Sequence, residues 1–177
     1  MKRSEADKQL NNLLELAHIN RDRSIVFANV RIDEIVFDSI HQIKNKYQGR
    51  KIIPIIKYPE IRSELNICGD EGLLTIAFNN LLDNACKFSN NDVFVDFSIS
   101  EENIKIIISD SGIGIPSGEI ESIFNPFKRA TNVKFINGFG IGLSLVVKIM
   151  DLHKAKLKVY SKEKTGTEIV SIFKRVI

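Results

Sequence analysis

FNNLLDNACKFS, Phe78–Ser89, is the second half of a run that reads as one helix over Glu71–Phe88, with Asp70 as its N-cap. Leu74, Phe78, Leu81, Leu82 and Ala85 recur at helical spacing and make a core stripe. Asn80, Asn84 and Lys87 stand at i, i+4 and i+7, so they share a different face. Helix interiors disfavour Asn, and two on one stripe suggest a task. An Asn amide oxygen is a hard, neutral ligand suited to Mg²⁺, which takes few protein groups beside phosphate oxygens and waters. Lys87 adds a positive charge suited to phosphate. Taken alone, the same face serves equally as a solvated polar surface.

Three more segments follow in order. In DSGIGIP (Asp110–Pro116), Asp110 ends an apolar strand, where its carboxylate can accept a charge-assisted hydrogen bond. Gly112 and Gly114 let backbone come close to a ligand, where a Cβ would clash. By itself this is also a common turn composition. In GFGIGLSLVVKIM (Gly138–Met150), Gly138, Gly140 and Gly142 precede and open a helix predicted over Gly140–Leu152. The free N–H groups and dipole of a helix start attract phosphate. The spacing is neither a dinucleotide fingerprint nor a P-loop, since no strand leads directly into it and no Gly-Lys-Ser/Thr follows. Between these lies IFNPFKRA (Ile123–Ala130), leading into Lys128–Asn137. That stretch reads as a mobile lid or as a plain surface loop.

All four segments in this order resemble the catalytic, ATP-binding domain of two-component sensor histidine kinases, from about Ile25 to the C-terminus. The resemblance implies ATP and Mg²⁺ as ligands. It makes Asn84 the direct Mg²⁺ ligand, Asn80 a supporting polar group, Lys87 a phosphate contact and Phe88 an adenine-packing ring. Asp110 then reads the adenine amino group, with Gly112, Gly114 and Ile115 beside it. Gly138, Gly140, Gly142 and Leu143 form the second glycine box. Phe124 and Phe127 match the box that packs the lid base to the core, and Arg129 either reaches phosphate or sits solvated at the rim. Thr167, in Thr165-Gly166-Thr167, assists adenine recognition through water or simply belongs to a hairpin turn. Related ATPases of the superfamily shared with gyrase, the heat-shock chaperones and mismatch-repair proteins carry a water-activating Glu where this chain has Asn80. Asn has no basic site for that work. Leu152-His153-Lys154-Ala155 lacks the glycines usual after the second glycine box.

The family's phospho-acceptor histidine, followed by an acidic residue, has no match here. His18, His41 and His153 all lack that context, so no residue of the chain is expected to be catalytic by accepting phosphate. LLELAHIN resembles the end of the dimerisation hairpin's second helix, which assigns residues 1–24 to a helix end over 4–20 plus a linker, and 25–177 to the catalytic domain. His41 and His153 read as positions near helix C-termini, where the dipole favours a partly positive ring. The implied partners are the acceptor hairpin of the parent kinase and a response regulator. The parent would be a homodimer and this piece a monomer. Two readings stand beside kinase chemistry on histidine: a Ser kinase like bacterial anti-sigma factors, and a nucleotide-binding module without catalysis.

The remaining pattern gives strands at Ile25–Arg31, Lys51–Tyr58, Glu64–Cys68, Val93–Ser100, Asn103–Asp110, Lys156–Ser161 and Thr167–Arg175. A helix over Glu34–Tyr47 would be capped by Asp33. Helices and strands are mixed without strict alternation. The expected fold is α+β, a two-layer α/β sandwich of the Bergerat type, its mixed, mostly antiparallel sheet covered on one face by helices. The 177 residues carry 25 Lys and Arg against 22 Asp and Glu, a net charge of +3. That balance gives no footprint for nucleic acid. Cys68 and Cys86 have no CxxC spacing and read as thiols of a reducing compartment. The expected location is cytoplasmic, and the resemblance leaves open a parent anchored in the inner membrane.

Overall fold

The computed structural model describes residues 25–57, 65–133, 135, 136 and 138–176. The helix and linker expected over residues 1–24 lie outside them. The chain runs β1 (Ala28–Arg31), α1 (Ile32–Lys46), β2 (Ile52–Lys57), β3 (Asn66–Gly69), α2 (Glu71–Phe88), β4 (Val93–Ile99), β5 (Asn103–Asp110), α3 (Gly142–Leu152), β6 (Lys156–Lys162) and β7 (Gly166–Lys174). Three short 3₁₀ turns lie between β5 and α3.

The main sheet has the order β2-β4-β5-β7-β6, in which only β2 and β4 pair in parallel. This agrees with the expected mixed, mostly antiparallel sandwich. One difference is that β1 and β3 leave that sheet and pair with each other antiparallel, Ala28 opposite Gly69 and Arg31 opposite Asn66. Along β5 the side chains alternate, and Ile104, Ile106 and Ile108 are buried against the helices. Val93, Val95 and Phe97 of β4 join them. Phe78 of α2 and Phe173 of β7 meet ring to ring at 6.1 Å, tying the helix layer to the sheet. The core is one cluster to which all three helices contribute.

The helix starts are decided locally. Asp70 caps α2 as expected: its Oδ1 accepts the Leu73 N–H at 2.9 Å. Asp33 does not cap α1. The helix begins one residue earlier, at Ile32, and Asp33 sits buried in the first turn, held by two hydrogen bonds from the Arg31 guanidinium. Its charge still favours the positive end of the helix dipole. Likewise α3 begins at Gly142 rather than Gly140.

His41 is exposed within α1 rather than at its end. His153 follows α3, but its ring is not partly positive. It is buried, its Nε2 accepts the Asp70 N–H at 2.9 Å, and its Nδ1 donates to the Ile149 carbonyl at 2.7 Å. Both nitrogens are thus committed to the neutral tautomer. Burial pushes its pKa below the ordinary value, against the opposing pull of the Ile149 carbonyl and Asp70. The ring joins the end of α3 to the start of α2.

A histidine whose pKa is lowered on folding binds fewer protons folded than unfolded just below the ordinary histidine pKa. Stability from this group is therefore complete above about pH 6.5 and is lost as pH falls below it. The thermal midpoint should drop from pH 7 toward about pH 5, and more steeply than in His153→Leu, which cannot protonate there. Parallel pH curves for the two proteins would rule the assignment out.

Candidate functional site

One cavity of about 140 Å³ opens between α2, the end of β5, the segment before α3 and the last hairpin. It is lined from α2 by Asn80, Asn84, Lys87 and Phe88. The β5 corner gives Asp110, Gly114 and Ile115, the segment before and into α3 gives Arg129, Gly138, Gly140, Gly142 and Leu143, and β7 gives Thr167. The expected site residues therefore converge, with the single exception of Gly112. Gly112 lies behind the wall: a Cβ there would stand 2.2 Å from the Phe88 carbonyl oxygen, and its N–H donates to Asp110 Oδ1 at 2.8 Å. Its work is to aim the carboxylate.

Asp110 sits opposite Thr167 in the β5–β7 register. Burial raises its pKa above the ordinary carboxylate value, and hydrogen bonds from the Gly112 and Thr167 backbones partly offset this. Apolar walls flank it, Ile108, Ile113 and Ile169 among them. This end of the cavity suits a flat, hydrophobic ring with a polar edge. Gly114 has φ 63°, and a Cβ there would collide with the Lys162 carbonyl oxygen at 2.0 Å. Only glycine lets the chain pass.

The opposite end is polar. Asn80 Nδ2 donates to the Ile76 carbonyl, and its Oδ1 would lie 2.9 Å from a Cβ on Gly142, so α3 starts in contact with α2. Gly140 (φ 73°) accepts the Phe127 N–H at 2.9 Å, and a Cβ on it would strike the Lys128 carbonyl oxygen. Lys87 Nζ lies 5.9 Å from the centre of the Phe88 ring and would lie 3.3 Å from a Cβ on Gly138. Asn84, Lys87, Lys128 and the α3 start thus line the same cavity. That donor set fits a hard cation together with phosphate oxygens.

The segment ahead of α3 departs from expectation in two places. Phe124 is half-buried in a small cluster with Ile123, Ala130 and Val133, but Phe127 is 66% exposed and packs nothing to the core. Arg129 turns inward, and its Nη2 donates to the carbonyls of Val133 and Ile136. Asn132 Nδ2 donates to the Gly114 carbonyl at 2.9 Å, and Glu119 accepts the Thr131 N–H at 2.8 Å. The segment ahead of α3 is therefore pinned to the Gly114 corner of the cavity.

Residues 69–176 match the family described as histidine kinase-, DNA gyrase B- and HSP90-like ATPases. The chain belongs to this family. Among its relatives, the sensor-like histidine kinase SenX3 of Mycolicibacterium smegmatis is 29% identical over 89% of this chain and 42% of its own length. The sensor protein kinase WalK of Staphylococcus aureus is 28% identical over 94% of this chain and 28% of its own. The chain spans less than half the length of either. Among solved structures, the mycobacterial sensor histidine kinase MprB superposes with a TM-score of 0.73 at 25% identity, covering 85% of this chain and 98% of its own. Full-length ShkA in complex with AMPPNP gives 0.78 at 20% identity, covering 96% and 36%. Both likenesses place the chain in the same fold as these proteins. No helix among the described residues is long and apolar enough to cross a membrane.

Sequence reading missed Ser161. Its hydroxyl accepts the Ile115 N–H at 2.9 Å and donates to the Gly166 carbonyl at 2.8 Å, with Thr167 Oγ1 at 2.9 Å. One side chain thus joins both backbone turns next to Asp110 and Thr167. Ser161→Ala leaves a half-buried N–H and carbonyl without partners and should lower unfolding free energy by about 1–3 kcal/mol. Thr167→Val should cost less, because the Ser161 bridge survives. Urea titration of both variants decides; equal costs would remove the bridge from the account.

Proposed function

We propose that this chain is the ATP-binding catalytic domain of a sensor histidine kinase, and that it delivers the γ-phosphoryl group of ATP to a histidine on a separate dimerisation hairpin. The observation carrying this is that one cavity has both halves needed: the half-buried Asp110 between apolar walls, and Asn84, Lys87 and the α3 start, which line it too. Asp110 accepts the adenine amino group, Gly114 and Ile115 face the base, Phe88 packs the ring, and Thr167 supports the edge. Asn84 holds Mg²⁺ with Asn80 behind it, while Lys87 and the Gly138, Gly140, Gly142 and Leu143 stretch meet the phosphates. Mg²⁺, when bound, neutralises phosphate oxygens. Arg129 organises the lid in preference to touching phosphate.

The domain's share of the chemistry is to hold the triphosphate in position and offset its charge, which is most of what proteins contribute to phosphoryl transfer. Asn80 disfavours the reading as a hydrolysing ATPase, since its amide offers no base and is engaged with the Ile76 carbonyl. The partners are the parent's acceptor hairpin and a response regulator; the parent works as a cytoplasmic-facing homodimer. Labelled ATP added with a separate acceptor hairpin tests the transfer. Label appearing on Ser, or only free phosphate, would select one of the other readings.

Asp110→Asn puts a donor against the adenine amino group and loses one charge-assisted bond, a cost of about 2–4 kcal/mol in ATP binding. Because the Asp110 pKa is raised and the ionised form accepts, wild-type affinity should weaken on acidification earlier than for an ordinary carboxylate. Calorimetry on the Asn variant with unchanged ATP affinity would sink the base-reading role.

Asn84→Ala should abolish the tightening of ATP binding by Mg²⁺ while binding of adenosine persists. The readout is a pair of titrations, with the metal and with chelator. A variant that keeps the wild-type response to Mg²⁺ would exclude Asn84 as its ligand.

A further inference from the structure

Asp83 is the neighbour of Asn84 on α2 and stands one turn from Asn80 and Lys87, on the wall of the same cavity. It is only 8% exposed. A bare carboxylate at this point would repel a triphosphate and attract a free cation. Yet it is not bare: Lys46 Nζ lies 2.5 Å from Asp83 Oδ1, and the Tyr47 hydroxyl donates to the same oxygen at 3.1 Å. Lys46 is the last residue of α1 and Tyr47 the residue that follows it. The Lys46 ammonium also lies 5.1 Å from the centre of the Tyr47 ring.

We propose that Lys46 and Asp83 form a charge-setting pair for the phosphate end of the cavity, Lys46 cancelling the Asp83 carboxylate so that the site takes nucleotide and metal together. In this pair both are positioning residues. Asp83 also holds the last turn of α1 against the turn of α2 that bears Asn84. With two donors on Oδ1, the carboxylate is satisfied by the protein and does not serve as a metal ligand. Removing one member of such a pair shifts the charge beside the site by one unit, whereas removing both leaves it unchanged. The inference rests on the reading of Asn84 as the Mg²⁺ residue.

The test is a set of ATP titrations at low ionic strength, each with chelator and with Mg²⁺, on folded protein verified by circular dichroism. Lys46→Met removes the ammonium from beside the carboxylate. It should weaken metal-free ATP about three- to tenfold, and Mg²⁺ should then recover more affinity than in wild type. Asp83→Asn frees the ammonium and should do the opposite: metal-free ATP binds at least as tightly, and the gain from Mg²⁺ shrinks. The double variant should return to the wild-type ratio, and Tyr47→Phe, which loses a hydrogen bond but no charge, should leave the ratio alone. High salt should compress all of these differences. If both single variants weaken ATP by the same factor with and without Mg²⁺, the pair is packing only and the proposal falls. A wild-type protein with no response to Mg²⁺ would instead refute the Asn84 reading, and the chelator titrations would still judge the pair.

Discussion

Three backbone segments meet so closely around Asp110 that no Cβ fits between them. A Cβ on Gly112 would stand 2.2 Å from the Phe88 carbonyl oxygen, on Gly114 2.0 Å from that of Lys162, and on Gly166 2.0 Å from that of Asp110 itself. Direct bonds close the same corner: Ile113 N–H to the Phe88 carbonyl, and Lys164 N–H to the Ile113 carbonyl. Such contacts cannot relax by rotating a side chain. The end of α2, the end of β5 and the last hairpin are therefore fixed as one body, and everything placed on them inherits its position. Asp110, Thr167 and Phe88 are aimed by this corner before any ligand arrives, and that reduces what binding must order.

Around that rigid corner the cavity divides its labour electrostatically. At the corner, burial makes the Asp110 carboxylate costly to ionise, so the group gains from any donor brought to it. Lys87, Lys128 and Asp83 line the cavity as well, Asp83 with Lys46 as its partner. The segment ahead of α3 is tied to the corner: Asn132 grips Gly114, and Arg129 grips the carbonyls at Val133 and Ile136.

The sequence made most legible what is decided within a few residues. The helix bearing Asn80, Asn84 and Lys87 has its own cap and its own stripe, and it formed where expected. Gly114, Gly138 and Gly140 were legible for a related reason: each sits at a positive φ that favours glycine. What escaped was set by partners remote in sequence or by competition between neighbours. Asp33 has the composition of a cap, but Arg31 takes its carboxylate in both oxygens. The neutral state of His153 depends on an N–H 83 residues away. Asp83 and Ser161 carry no signature, because an acid on a helix and a serine on a strand are ordinary until Lys46 and Ile115 are placed beside them. Phe127 reads as a buried aromatic, yet it sits at φ 65° in a strained turn that points it outward.

The two rims of the main sheet are β2 and β6. β2 carries Pro54, which has no N–H to offer, and β6 exposes Lys156, Lys158, Tyr160 and Lys162 at every second position. Neither rim is a template for another strand, so the sheet is terminated at five. On the kinase reading proposed above, a partner protein would meet the main sheet through a helix or a loop rather than through an added strand. Recognition between such bodies is read from side chains on two preformed surfaces rather than from a shared backbone ladder. Partner choice can then change by surface substitution alone, with the sheet and its corner left as they are.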